Sequence, residues 1–208
     1  MINLERQKEN FKNHIATFTD YGNIKILDFK APDTSHYRIR FLFEEDYYRL
    51  HISGDLGELI ATNYYNMTYE KFSDFVNNVE YFKEKINCAS RPIYRYDYDK
   101  ARQDLTELIK ERGLEENIED WYYWETKEES INKVIDDILD DFEDGKGIGD
   151  RGCEIASEFF DDFWYDAEYI GREDTGILNL YMLAFKLATE QLNKDNQGIK
   201  QQSKTVAN

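Results

Sequence analysis

The chain has 208 residues, with 26 Lys and Arg against 43 Asp and Glu, a formal charge of −17 and a sequence pI of about 4.6. That balance excludes an ordinary nucleic-acid binder, because phosphate affinity needs a surplus of positive charge on some surface. Hydrophobic residues at 41% and aromatics at 15% supply a core and separate the chain from disordered acidic proteins.

Residues 4–14 have helix-forming composition with few apolar positions, which predicts a short peripheral helix. Strands follow. Residues 24–29 alternate in polarity, and a second alternating run puts Tyr37, Ile39, Phe41 and Phe43 on one face, with turn chemistry at 30–35 between them. Glu44, Glu45 and Asp46 form a hairpin tip leading to a third strand with Tyr48, Leu50 and Ile52 inward, and a further strand runs through 58–64. The first third therefore reads as an antiparallel meander of four or five strands.

Helices take over at Thr68, a candidate N-cap for 69–76 with Phe72, Phe75 and Val76 at helical spacing. A second helical run passes through Val79, Phe82 and Ile86, and the loss of apolar period over 88–98 predicts a surface connection. Residues 99–112 form a helix with Ala101, Leu105, Leu108 and Ile109 inward, ended by Gly113. Two long amphipathic helices are expected next. In the first, Ile131, Val134, Ile135, Ile138 and Phe142 face inward, opposite Asp136, Asp137, Asp140, Asp141 and Asp144. After a break at 145–149, Ala156, Phe159, Phe160, Phe163, Ala167 and Ile170 make the second stripe, opposite Glu154, Glu158, Asp161, Asp162 and Asp166.

Residues 177–192 are apolar around most of a helix, so Leu180, Tyr181, Leu183, Phe185 and Leu187 predict enclosure by the domain or by a second copy, and a homo-oligomer of at least two chains. The tail from Asn193 is polar and expected to be disordered. The fold class is α+β: an N-terminal antiparallel β meander followed by a helical, strongly acidic C-terminal half. Three regions are expected: 1–92 strand-rich, 93–192 acidic and helical, and 193–208 a tail.

Charge marks the boundary. Residues 1–100 carry 14 basic and 16 acidic side chains, whereas 101–208 carry 12 and 27, and within that half residues 111–174 hold 23 acids and 6 bases.

Motifs for chemistry are lacking. Asp144-Gly145 resembles part of a calcium loop, but Phe142 and Arg151 stand where oxygen ligands are required. The glycines at 145–149 lack phosphate-loop spacing, and their acidic flanks repel phosphate. His14, His36 and His51 have no nucleophile partner in a recognisable motif and read as structural. Cys88 and Cys153 read as free buried thiols. Tyr94, Tyr96, Tyr98, Tyr122 and Tyr123 could stack bases, but without a basic groove they read as core-edge or interface residues. No enzyme activity, cofactor or metal is expected. The opening of the chain shows no secretory pattern, and no apolar run approaches the roughly 20 residues of a membrane span, so no membrane association is expected and a cytoplasmic location is.

What remains is the carboxylate array itself: Asp136, Asp137, Asp140, Asp141, Asp144, Glu154, Glu158, Asp161, Asp162 and Asp166. Acids four residues apart on a helix rise about 6 Å. Such a row imitates a phosphate strand and suits the basic channel of a nucleic-acid-handling protein.

At 51–57 (HISGDLG), 61–64 (ATNY), 66–72 (NMTYEKF) and 81–86 (YFKEKI), the sequence resembles small accessory proteins carried by phages and prophages of low-GC Gram-positive bacteria. The resemblance covers roughly residues 21–100 and brings no catalytic residues with it. It implies a protein working in the host cytoplasm, of a class that includes inhibitors of bacterial immunity such as anti-CRISPR and anti-Gabija proteins. With the charge, it leads to the expectation of an inhibitor that binds a host defence protein and covers its nucleic-acid channel without touching nucleic acid itself. The alternative expectation is an acidic, self-associating structural or assembly protein.

Overall fold

A computed structural model describes residues 3–121 and 126–205. In chain order they form helix α1 (Leu4–Lys8), strands β1 (Ile15–Asp20), β2 (Ile24–Lys30), β3 (Ile39–Glu44), β4 (Arg49–Gly54) and β5 (Leu59–Thr62), helices α2 (Ser73–Val76) and α3 (Val79–Lys83), and strands β6 (Ile86–Ala89) and β7 (Tyr94–Tyr96). Helices α4 (Tyr98–Glu111), α5 (Glu115–Trp121), α6 (Lys127–Ile138), α7 (Asp150–Ser157) and α8 (Phe163–Ala167) follow, then strand β8 (Arg172–Asp174) and helix α9 (Ile177–Thr205). The architecture is α+β. The chain divides into two compact units: residues 1–93 with 175–208, and 94–174 inserted between them.

The first unit is a six-stranded antiparallel meander, β1 to β6 in sequential order. Period-two alternation turns Leu27, Phe29, Ile39, Phe41, Phe43, Leu50, Ile52, Leu59 and Ala61 to one face, where all are buried. Phe72, Phe75 and Phe82 cover that face together with α9, whose Phe185 ring sits 4.8 Å from Phe72 and 5.4 Å from Phe41. Gln191 of α9 ties helix to strand: its Oε1 accepts the Ala16 N–H at the sheet edge, and its amide donates to the His14 carbonyl at 3.3 Å. This occupies an edge group that would otherwise be open to pairing.

Helix α9 corrects the oligomer argument. Leu180, Tyr181, Leu183 and Phe185 are buried within their own chain and Leu187 is half-buried, so the sheet accounts for the apolar girth that suggested a second copy. The Tyr181 hydroxyl donates to the Leu56 carbonyl at 3.2 Å. The helix continues to Thr205, past Asn193 where a disordered tail was expected; residues 206–208 lie outside the described residues.

Other differences are local. Strand β1 was not anticipated, because as an edge strand it mixes half-exposed positions and shows no clean alternation. Strand β6 takes residues that the helical reading of Val79–Ile86 ran into. Tyr37 and Tyr48 adopt left-handed backbone (φ 55° and 47°) and stand outside the strands assigned to them. Cys153 is buried as expected, but Cys88 on β6 is exposed.

The inserted unit begins and ends on a two-stranded ribbon, in which Tyr94 pairs with Asp174 and Tyr96 with Arg172. Its core is Ala101, Leu105 and Ile109 of α4, Ile118 of α5, Val134, Ile135 and Ile138 of α6, and Cys153, Ala156, Phe160, Phe163 and Ile170 further on. The expected second long helix is broken: α7 ends at Ser157, and Asp162, in left-handed backbone at φ 58°, begins the short α8.

Candidate partner-binding surface

The two units differ in charge. Residues 94–174 carry 27 acidic and 10 basic side chains, net −17, while the remaining residues carry 16 of each. The whole net charge of the protein resides in the insertion.

Within it, the carboxylates of the expected array fall into three groups. The first is ion-paired: Asp136 with Arg102, Asp137 with Lys133, Asp166 with Arg112, and Asp140 with Arg151 at 2.7 Å. Each of these four acids meets a base: Arg102 on α4, Arg112 at its C-cap, Lys133 on α6 and Arg151 on α7. The second group is Asp141 alone. It lies past the end of α6, and its carboxylate accepts the backbone N–H groups of Gly149, Arg151 and Gly152 at 3.2, 3.0 and 3.2 Å. It caps the N-terminus of α7, satisfying donors that a helix leaves unpaired and placing negative charge at the positive end of the dipole. Gly149 offers no capping side chain, and a Cβ there would meet Asp141 Oδ2 at 2.2 Å, so glycine admits the distant acid.

The third group is Asp144, Glu154, Glu158, Asp161 and Asp162, all exposed and without an ion-pair partner among the described residues. Asp150 is also exposed and without an ion-pair partner among the described residues, and forms an i, i+4, i+8 row with Glu154 on α7 and Glu158 at its C-cap. That row spans about 12 Å.

Beside these acids stand side chains that the periodicity reading passed over. Trp164, Tyr165 and Tyr169 are 58%, 77% and 56% exposed. On the short α8 the first residue, Phe163, is turned into the core, and the two that follow it, Trp164 and Tyr165, are turned to solvent. Exposed Trp and Tyr in a desolvatable patch are the residue types that carry binding energy at interfaces. Arg112 holds this turn from α4: its guanidinium donates to the Asp161 carbonyl at 3.3 Å, pairs with Asp166, and lies 5.9 Å from the Phe160 ring centroid.

The remaining candidates have structural surroundings. Tyr94 stacks on Arg172 at 3.9 Å, the Tyr96 hydroxyl donates to the Glu168 carbonyl at 3.3 Å, and Tyr98 packs edge-on against Phe142. Tyr122 and Tyr123 lie outside the described residues. His14 is buried against Phe11 and Phe29, while His51 reaches Glu44 at 3.3 Å on the other sheet face. The Cys153 thiol is pushed up by burial and by Asp141 and Asp150 nearby. Among the described residues no helix is long and apolar enough to cross a membrane, and no group of three or more His, Cys, Asp or Glu is placed to hold a metal.

Compared with protein-family models, curated proteins and solved structures, the chain gives no match in any of the three.

Proposed function

We propose that this protein acts by binding, not by turnover: the inserted unit docks on a basic nucleic-acid-binding surface of a protein partner and keeps nucleic acid off it. The observation that carries the reading is the combination on α7 and the following turn. Asp150, Glu154, Glu158, Asp161 and Asp162 have no ion-pair partner among the described residues, and Trp164 and Tyr165 follow them, exposed, on α8. The acids supply steering and exclusion of phosphate, and the aromatics supply desolvated contact area. Exposed like charges weaken the fold through self-repulsion, which gives their concentration in one unit a functional motive.

The phage-type resemblance of residues 21–100 directs the reading to a partner class: a host nuclease-based immune complex of the kind that anti-CRISPR or anti-Gabija inhibitors block. Affinity capture from bacteria carrying such systems, followed by displacement of labelled DNA from the purified captured protein, tests it. Displacement that saturates at a fixed stoichiometry and persists in chelator supports the reading. Sub-stoichiometric, progressive loss of partner function would replace it with catalysis.

A further inference from the structure

We propose that the loop end of the six-stranded sheet is a second docking surface, for a protein partner that presents arginine side chains. In a sequential antiparallel meander the β1–β2 turn, the β3–β4 turn and the exit from β5 emerge at one end of the sheet. Those three segments are residues 21–23, 45–48 and 63–66. Of their eleven residues five are Tyr and three are Asn, with one Gly, one Glu and one Asp. This is the composition of antibody binding loops, where tyrosine gives large contact area at low entropic cost and asparagine and glycine give adaptable hydrogen bonding.

The tyrosines face solvent: Tyr21 is 68% exposed, Tyr47 67%, Tyr48 36%, Tyr64 91% and Tyr65 61%. The folded chain gains little from leaving five rings in water. The segments are also held together before any partner arrives. Glu45 N–H donates to the Asn23 carbonyl at 2.8 Å, Asn63 N–H to the Tyr48 carbonyl at 3.1 Å, and Tyr69 N–H to Glu45 Oε1 at 3.0 Å. Lys25 closes on Glu45 at 2.9 Å. A surface ordered in advance loses less freedom on binding.

Charge chooses the occupant. The three segments contain no Lys or Arg, the adjoining Lys25 and Arg49 are paired with Glu45 and Glu44, and Asp20 and Asp46 are exposed without an ion-pair partner among the described residues. Phosphate-bearing partners are therefore disfavoured. A guanidinium is suited, since it stacks on a tyrosine face and offers a fork to a carboxylate. The chain shows the stacking geometry on itself, where the Arg49 guanidinium lies 5.5 Å from the Tyr47 ring centroid.

The test selects binders to the full chain from a random short-peptide display library, then measures the best peptide against variants. Wild type should enrich arginine-containing peptides. Affinity should fall about tenfold or more in Tyr47→Ser/Tyr64→Ser/Tyr65→Ser, and also in Asp20→Asn/Asp46→Asn, which keeps every ring. Affinity should be unchanged in Glu154→Gln/Glu158→Gln, so failure here and failure of the proposed function are read separately. Native circular dichroism of each variant accompanies the measurement. Selected peptides without arginine, equal binding by the tyrosine variant, binding of oligothymidylate at the same loops, or tyrosine-dependent self-association in sedimentation would each overturn the proposal.

Discussion

Asp141 Oδ1 accepts the backbone N–H of Gly152 at 3.2 Å, and a Cβ on Gly152 would lie 2.9 Å from that oxygen and 2.1 Å from the Ile138 carbonyl oxygen. The acid and the glycine fit each other at the junction of α6 and α7. An acid that sequence periodicity places on an outward face is thereby part of the framework. Asp141→Ala should cost roughly 2 kcal/mol in a urea titration, because three helix-terminal donors lose a charged acceptor. Asp161→Asn should change stability by less than about 0.5 kcal/mol, as exposed, unpaired surface groups do. Equal losses would remove Asp141 from its capping role.

Phe185 contacts the rings of Phe41, Phe43, Tyr69 and Phe72. Phe185→Ala should destabilise the protein by about 3–5 kcal/mol, as cavity formation in a packed aromatic core does. The loss should be the same at low and high protein concentration, since the contacts lie within one chain. A concentration-dependent loss would restore the oligomer reading of α9.

The legible parts of the fold were those with unambiguous period. Ile39, Phe41 and Phe43 alternate into the core, and Ala101, Leu105 and Ile109 keep helical spacing. Strand β1 is not legible because an edge strand needs no apolar alternation, and the sequence of α9 leaves two readings open because burial by a sheet and burial by a second copy require the same apolar helix. Chain order also obscured the inserted unit: it ends at Asp174, and α9 returns to the sheet before the C-terminus. The charge shift revealed the acidic unit, but not which acids are free, because Arg102, Arg112 and Arg151 reach carboxylates 34, 54 and 11 residues away. Trp164 and Tyr165 were findable as the aromatics off the Phe160–Phe163 stripe.

His14 is buried beside Phe11 and Phe29, and its Nδ1 has no hydrogen-bond partner among the described residues. Burial holds its pKa below the ordinary value, outweighing the Tyr37 and His36 backbone contacts that oppose the shift. As pH falls below the ordinary histidine value of about 6.5, the unfolded chain takes up this proton before the folded chain does, so acid favours unfolding. Between pH 7.5 and 5 the stability of His14→Leu should rise relative to wild type. A pH-independent difference would contradict this.

Arg112 positions the exposed turn without being part of the acidic surface. Arg112→Gln should accelerate amide hydrogen exchange over 158–166 by about tenfold while leaving the β2–β4 amides unchanged. Arg112→Lys should rescue little, because one ammonium cannot serve the Asp161 carbonyl and Asp166 with the fork geometry. Unchanged exchange in the turn would show that Phe160 and Phe163 hold it unaided.

In the proposed function the inserted unit and nucleic acid compete for one basic surface of the partner. The most direct measurement titrates the chain into a complex of its captured partner with fluorescent DNA, at two ionic strengths, beside Glu154→Gln/Glu158→Gln/Asp161→Asn/Asp162→Asn and Trp164→Ala. Wild type should displace the DNA fully at a fixed stoichiometry. The charge variant should bind more weakly and with reduced salt sensitivity, because four screened charges are gone, and Trp164→Ala should weaken binding at both ionic strengths by about tenfold or more. A stable ternary complex of chain, partner and DNA, or undiminished displacement by both variants, would contradict the account.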